Sequence, residues 1–365
     1  MSALNEKNDP QRPASRAGQA IILMSGLVSA TILTLALSEL QGILRPFFIA
    51  VFLCFMVKPL TTKLGRRLGI FGYAFAFAVI FGVFSFAHQV ISADTASFRK
   101  NYEDTYGPNL KGYQQSLAKS GIIKKVFPSE SSETIGERIL PGKQIQELLD
   151  PKTLTNALGS GASFFFGIFG ELIVVLVIMM LLLVESDRLP DRLRRVCGKE
   201  KGERILGVCH KIGQSVTRYV SLKVWISLLT SVICVVVMSL FDLHYAITFG
   251  IVVFIFNFIP YLGSVIATLF PCLVALLQKD PITAIWLGVS LTAAQQIVGN
   301  FVEPKIQGKG LSISPVLIVL SLGFWGWLWG VGGMILAVPI TVTIRIILEQ
   351  FETTRQIALM VGGDE

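Results

Sequence analysis

Thr292, Gln296 and Asn300 recur every four residues along the segment 282–303, with Gly288 ahead of them, Gln295 and Gly299 beside them and Glu303 one turn on. Residues four apart share one face of a helix, so this is a polar stripe on an otherwise apolar element. Amides and hydroxyls offer donors and acceptors without charge. Such a stripe suits a neutral, hydroxyl-rich small molecule, whose lost water hydrogen bonds it would replace in an apolar medium. Glutamine and asparagine buried between helices serve equally well as glue, and on spacing alone both readings stand. A second constellation lies upstream: Asn257, Pro260, Tyr261, Gly263 and Ser264 interrupt an apolar run. Proline and glycine let a helix stop and turn there, and the freed backbone ends can bind a solute or an ion. Two carboxylate questions complete the set. Glu303 precedes Pro304, a gate or ion-coupling position or a plain helix stop. Glu171 lies within the apolar run 164–184, as a proton carrier or as an interfacial acid.

These residues sit on elements of unusual character. The chain of 365 residues is 52% hydrophobic and only 15% charged, with a mean hydropathy of +0.64. That composition belongs to polytopic membrane proteins and excludes a soluble globular domain. The net charge of +8 lies in loops beside apolar runs, where cations orient a membrane protein and meet anionic lipid headgroups, so no nucleic-acid partner is expected. Five scattered cysteines and three scattered histidines give neither a disulfide framework nor a metal site, and no cofactor is implied. Nucleophile, zinc-protease and P-loop motifs are missing, so neither an enzyme nor an ATP-driven pump is expected.

Taken in order, 1–18 reads as a disordered cytoplasmic tail and 19–91 as three transmembrane helices, the first two joined by a tight hairpin. The loop 58–69 carries four cations and no anion. Residues 92–160 hold nine cations, eight anions and four prolines, and read as a small helical extracytoplasmic domain. A fourth span covers 161–184. In the cytoplasmic segment 185–223, Ile205, Cys209, Ile212, Val216 and Tyr219 form one apolar stripe, so this helix either lies in the headgroup plane or packs on protein. The core 224–348 and a cytoplasmic tail 349–365 follow. Segments placed inside carry 21 of the 32 cations, which puts both termini in the cytoplasm.

Within the core, the runs 245–259, 262–277 and 315–329 are each too short for a bilayer, since about 15 helical residues span only about 22 Å of the roughly 30 Å required. The pairs 245–277 and 315–348 therefore read as two crossings each or as re-entrant hairpins, and the alternation of span and broken pair is the layout of an inverted repeat. Trp325, Trp327 and Trp329 are expected at an interfacial belt, and Gly326 with Gly330 as helix packing. The fold class is an all-α polytopic membrane protein of about eight transmembrane helices, some broken or re-entrant.

The segments 257–264 (NFIPYLGS), 300–311 (NFVEPKIQGKGL), 324–330 (FWGWLWG) and 333–339 (GMILAVP), with 219–223 (YVSLK), resemble signature segments of the autoinducer-2 exporter family of bacterial membrane proteins, closest to its quorum-signal-exporting branch. The resemblance implies a multi-pass inner-membrane protein of about eight spans, an extracytoplasmic domain after the third, and a homo-oligomer. It also implies secondary export of a small polar signal, autoinducer-2 or a similar polyol, with sodium(lithium)/proton antiport as the alternative within the family. A membrane channel or scaffold is the reading from another class.

Overall fold

Long apolar runs can enter a bilayer only if they satisfy their own backbone groups, which an α-helix does within a single segment. In the computed structural model, which describes residues 16–68, 70–101, 106, 171–186, 188–307, 314–351 and 354–356, every regular element is helical. Four helical stretches are long and apolar enough to cross a membrane, Phe77–Phe98, Lys199–Leu240, Pro281–Ile306 and Pro315–Glu349, with shorter apolar helices among them. The protein is an all-α polytopic membrane protein.

Helices α1 (Arg16–Glu39) and α2 (Gln41–Leu68) meet at 84°, not in the antiparallel hairpin the sequence predicts. Leu40 alone joins them, and antiparallel helices need a link of about 2–5 residues. Helix α3 (Ile70–Asn101) runs past the expected span end at Ile91 and reaches the middle of the chain, where Asn101 donates to the Tyr245 hydroxyl at 3.0 Å. The expected extracytoplasmic domain beyond it, apart from Tyr106, and both expected tails for the most part lie outside the described residues. After the helical stretch 171–186 come α4 (Leu189–Cys197) and α5 (Lys199–Leu240).

Helix α5 is the axis of the molecule, 42 residues and about 63 Å long. It runs without a break from Lys199, inside the segment read as in-plane or packed on protein, through the expected fifth span. Its apolar stripe is used only toward the membrane end: Ile205 and Cys209 are exposed, whereas Val216 and Tyr219 are buried.

Two broken elements then fold back on themselves. Helices α6 (Ala246–Phe256) and α7 (Leu262–Gln278) are about 16 and 26 Å long. Their far ends are joined: Lys279 Nζ reaches Asp242 at 2.7 Å, and Gln278 bonds the His244 amide and the Asp242 carbonyl, each at 2.8 Å. The hydrogen bond and charge of Lys279 hold the Asp242 carboxyl below its ordinary value. Helix α8 (Pro281–Ile297) follows, capped by Asp280, then a π turn (Val298–Val302) and α9 (Glu303–Gln307). The last helix, α10 (Pro315–Glu349), is interrupted at Gly330, whose φ of 65° and ψ of −146° turn the chain around. Its arms run antiparallel, since Ser321 and Thr341 hydroxyls meet at 2.7 Å across the turn.

The two hairpins are rooted at opposite ends of α5. The first is closed beside Asp242, just past Leu240, and the second is tied at its base by Glu349 to Lys211 at 3.1 Å. They contribute to two apolar cores. One joins α2, the stretch 171–186, the second hairpin, Val216, Tyr219 and Val220 of α5, and the turn residues Phe258 and Ile259 of the first hairpin; the other joins the C-terminal part of α5, the arms of the first hairpin and the start of α8. The tryptophans divide between these roles. Trp327 is 71% exposed, but Trp325 and Trp329 are buried with ring centroids 4.9 Å apart, so two of the three depart from the expected belt. Residues four apart face the same way, and that face is the core.

Candidate functional site

The first hairpin turns through five residues between Phe256 and Leu262, and residues in and just after the turn account for it. Pro260 has no amide hydrogen to extend the helix. Tyr261 takes φ 63°, outside the helical region. Gly263 is where the arms cross most closely: a Cβ there would lie 1.9 Å from the Phe256 carbonyl oxygen. The turn is held to α5 by Asn257 Nδ2, which donates to Ser227 Oγ at 2.9 Å, and Ser264 Oγ donates to the Tyr261 carbonyl at 2.9 Å.

Helix α8 brings its polar stripe against this turn. Gln295 Nε2 donates to Thr268 Oγ1 on α7 at 2.9 Å, an interhelical tie. Asn300 Nδ2 instead donates to Gln296 Oε1 at 2.9 Å along the same helix, and both residues are exposed. Pro304 cannot donate to the carbonyl four residues back, that of Asn300, and the helix loosens there into the π turn. Just beyond it the Glu303 carboxylate accepts from Lys223 Nζ of α5 at 2.8 Å.

Between these parts lies a cavity of about 890 Å³. Asn257, Pro260, Tyr261, Ser264, Thr292, Gln295, Gln296 and Asn300 line it, together with Glu303. Gly263 does not line it but shapes the turn above it. Ile318 and Val338, one from each arm of the second hairpin, complete the wall. Glu171 lies elsewhere. It pairs with Arg45 of α2, whose side chain also packs near Gly332 at the tip of the second hairpin. Pro304 is exposed beside Glu303.

Four lining residues with polar side chains were not singled out from the sequence as site residues: Tyr219, Lys223, Thr268 and Cys272. Two of them had a readable signal. Ser264, Thr268 and Cys272 recur every four residues on α7, a second polar stripe that faces the first. Lys223 was counted among loop cations, yet its side chain is only 7% accessible. Its position in the segment 219–223, at the mouth of an apolar run, was the available hint.

The chemistry of the cavity is consistent. Among its polar lining groups uncharged donors and acceptors predominate, and among the described residues the lining carries one cation and one anion, held together as a pair. Its volume falls within the roughly 300–1,000 Å³ of small-molecule sites.

Comparison with known proteins agrees on family. A candidate transport protein of Borreliella burgdorferi, named without a substrate, is 29% identical over 327 residues, covering 89% of this chain and 86% of that one. The AI-2 transport protein TqsA of Escherichia coli is 25% identical over 349 residues, 94% of this chain and 96% of TqsA. A candidate transport protein of Haemophilus influenzae is 27% identical over 350 residues, 93% and 95% of the two chains. Residues 21–353 match the family model described as AI-2E family transporter, and the chain belongs to that family of membrane transporters.

Proposed function

We propose that this chain exports a small, neutral, hydroxyl-rich solute, autoinducer-2 or a similar polyol, across the bacterial inner membrane by way of this cavity. What supports the reading most is the convergence of two uncharged polar stripes with a break in a helix pair too short to cross. Discontinuous helices meeting near the middle of a bilayer are where secondary transporters hold their solutes. In this reading the two hairpins are re-entrant and enter from opposite faces, Asn257, Pro260, Tyr261, Ser264, Thr292, Gln295, Gln296 and Asn300 bind solute, and Glu303 with Pro304 forms the inner gate. The name of TqsA adds support for autoinducer-2, while other relatives carry no substrate in theirs. Deletion with complementation tests the proposal: external autoinducer-2 falls and internal signal rises without the protein. Unchanged signal on both sides would reject it.

The proposal separates the amides by role. Gln296→Ala and Asn300→Ala are expected to lower flux severalfold while membrane abundance and thermal stability hold, because these two residues bond each other. Gln295→Ala is expected to lower stability as well, by about 0.6 kcal/mol, the average for an interhelical hydrogen bond in a membrane. Flux assays beside thermal unfolding in detergent read the difference. Equal loss of stability in all three would make the whole stripe packing.

Orientation follows from cation bias, with both termini in the cytoplasm. In a background without cysteines, a cysteine at Lys119 is expected to be labelled by an impermeant reagent on intact cells, and one at Lys199 only after lysis. The reverse pattern would invert the topology.

Sodium/proton antiport is the second reading, favoured by one observation: a carboxylate, Glu303, lines the cavity, and a cation could displace Lys223 from it. Sodium-driven proton movement lost in Glu303→Gln, with autoinducer-2 flux absent throughout, would establish it instead.

A further inference from the structure

We propose that the Lys223–Glu303 pair is the charge filter of the cavity, restricting it to neutral solutes by cancelling each partner's field. This rests on the cavity being the solute's path and names the class that path accepts. The observations are three. Among the described residues Lys223 and Glu303 are the cavity's charged lining residues, and they meet at 2.8 Å. Both are largely out of water, with side chains 7% and 21% accessible. They come from different helices, α5 and α9, so the pairing is set by the fold and not by local sequence.

A charge held in a cleft with apolar walls concentrates counter-ions there, raising their local encounter by about 10- to 1,000-fold. Lys223 alone would therefore make this an anion site, and Glu303 alone a cation site. Paired, they leave a dipole that can hydrogen-bond a hydroxyl but gives no net attraction to either sign. Uncompensated desolvation then excludes charged analogues of the solute, while amides such as Gln296 and Asn300 satisfy the neutral one.

A clamp that merely fastened α5 to α9 would move stability and nothing else, so the test reads charge preference. Cys272 lines the same cavity and serves as reporter. With Cys54, Cys197, Cys209 and Cys234 replaced by serine, the full-length protein in membranes is labelled with an anionic and a cationic methanethiosulfonate of similar size. The ratio of the two rates is referred to that of a free thiol. With the pair intact, the ratio is expected to match the free thiol. In Glu303→Gln the anionic reagent is expected to gain about tenfold or more, and in Lys223→Gln the cationic reagent to gain similarly. In Lys223→Gln with Glu303→Gln the ratio is expected to return to its starting value, which also separates charge from any loosening of the helices. A ratio unmoved in both single variants overturns the proposal.

Flux into vesicles of xylitol against xylonate separates this from the underlying reading. Wild-type protein is expected to carry xylitol in preference, and Glu303→Gln to shift the balance toward xylonate. Labelling ratios that shift as expected while no polyol moves would leave a charge-balanced cavity and reject the transport path, and with it the filter's role in selecting solute. Polyol flux with unmoved ratios would keep the path and reject the filter.

Discussion

Replacing Gly263 or Gly333 by alanine is expected to remove both the folded protein and its transport. A Cβ at Gly263 would stand 1.9 Å from the carbonyl oxygen of Phe256, and one at Gly333 1.9 Å from that of Trp325. Both obstacles are backbone, which cannot swing aside as a side chain can. Inserting even one methyl into a packed core costs about 1–3 kcal/mol, and these two clashes belong at or above the top of that range. The only relief is to spread the arms of a hairpin. Spreading the first would break the Asn257 to Ser227 bond at its turn, and spreading the second would break the Ser321 to Thr341 contact. Gly323→Ala is the control, since nothing stands within 4 Å of its Cβ position. Thermal unfolding in detergent should show a large drop for the first two and little for the third. Alanine at Gly263 with unchanged stability would mean the arms do not cross so closely.

Trp329→Ala should be the next most damaging substitution. Trp329 is 1% exposed, with its ring centroid 4.9 Å from that of Trp325 and 5.4 Å from that of Phe48, and its Nε1 donates to the Leu37 carbonyl at 3.3 Å. It therefore joins the tip of the second hairpin to both α1 and α2. Removing such a ring from a water-soluble core costs about 3–5 kcal/mol. Here the lower end applies, because lipid offers an apolar side chain nearly what the protein interior does, leaving the cavity and contact terms. Trp327→Ala, on the exposed face, should leave unfolding almost unchanged. Equal effects from the two would argue that Trp329 faces lipid after all.

Those two tryptophans mark where sequence reasoning stops. Aromatic residues flanking a membrane segment suggest a belt, and the suggestion suits Trp327, but the spacing of Trp325 and Trp329 places them on the other face. Only the location of α2 decides that this face is core. The hairpins were legible as an ambiguity: short runs and Pro260 demanded breaks, yet the charge of the loops is the same for a hairpin as for two crossings. What shows each pair of arms folding back on itself is contact between distant residues, Asp242 with Lys279 and Ser321 with Thr341. The stripe on α8 was readable because it repeats every four residues. Its complement on α7 repeats too, but serine, threonine and cysteine pass as ordinary small residues of a membrane helix. Lys223 was hidden for a different reason. Counting cations by segment assigns every lysine to water, and a lysine buried by a glutamate 80 residues away defeats the count.

The central claim, that the cavity between the first hairpin and α8 carries a neutral polyol, is tested most directly with purified protein in vesicles of defined lipid. Uptake of labelled autoinducer-2 is measured against its concentration, with and without an imposed sodium or proton gradient, for wild type and for Asn300→Ala. The account predicts saturable uptake by wild type that falls severalfold in Asn300→Ala. Wild-type vesicles that take up no autoinducer-2, but exchange sodium for protons, would contradict it.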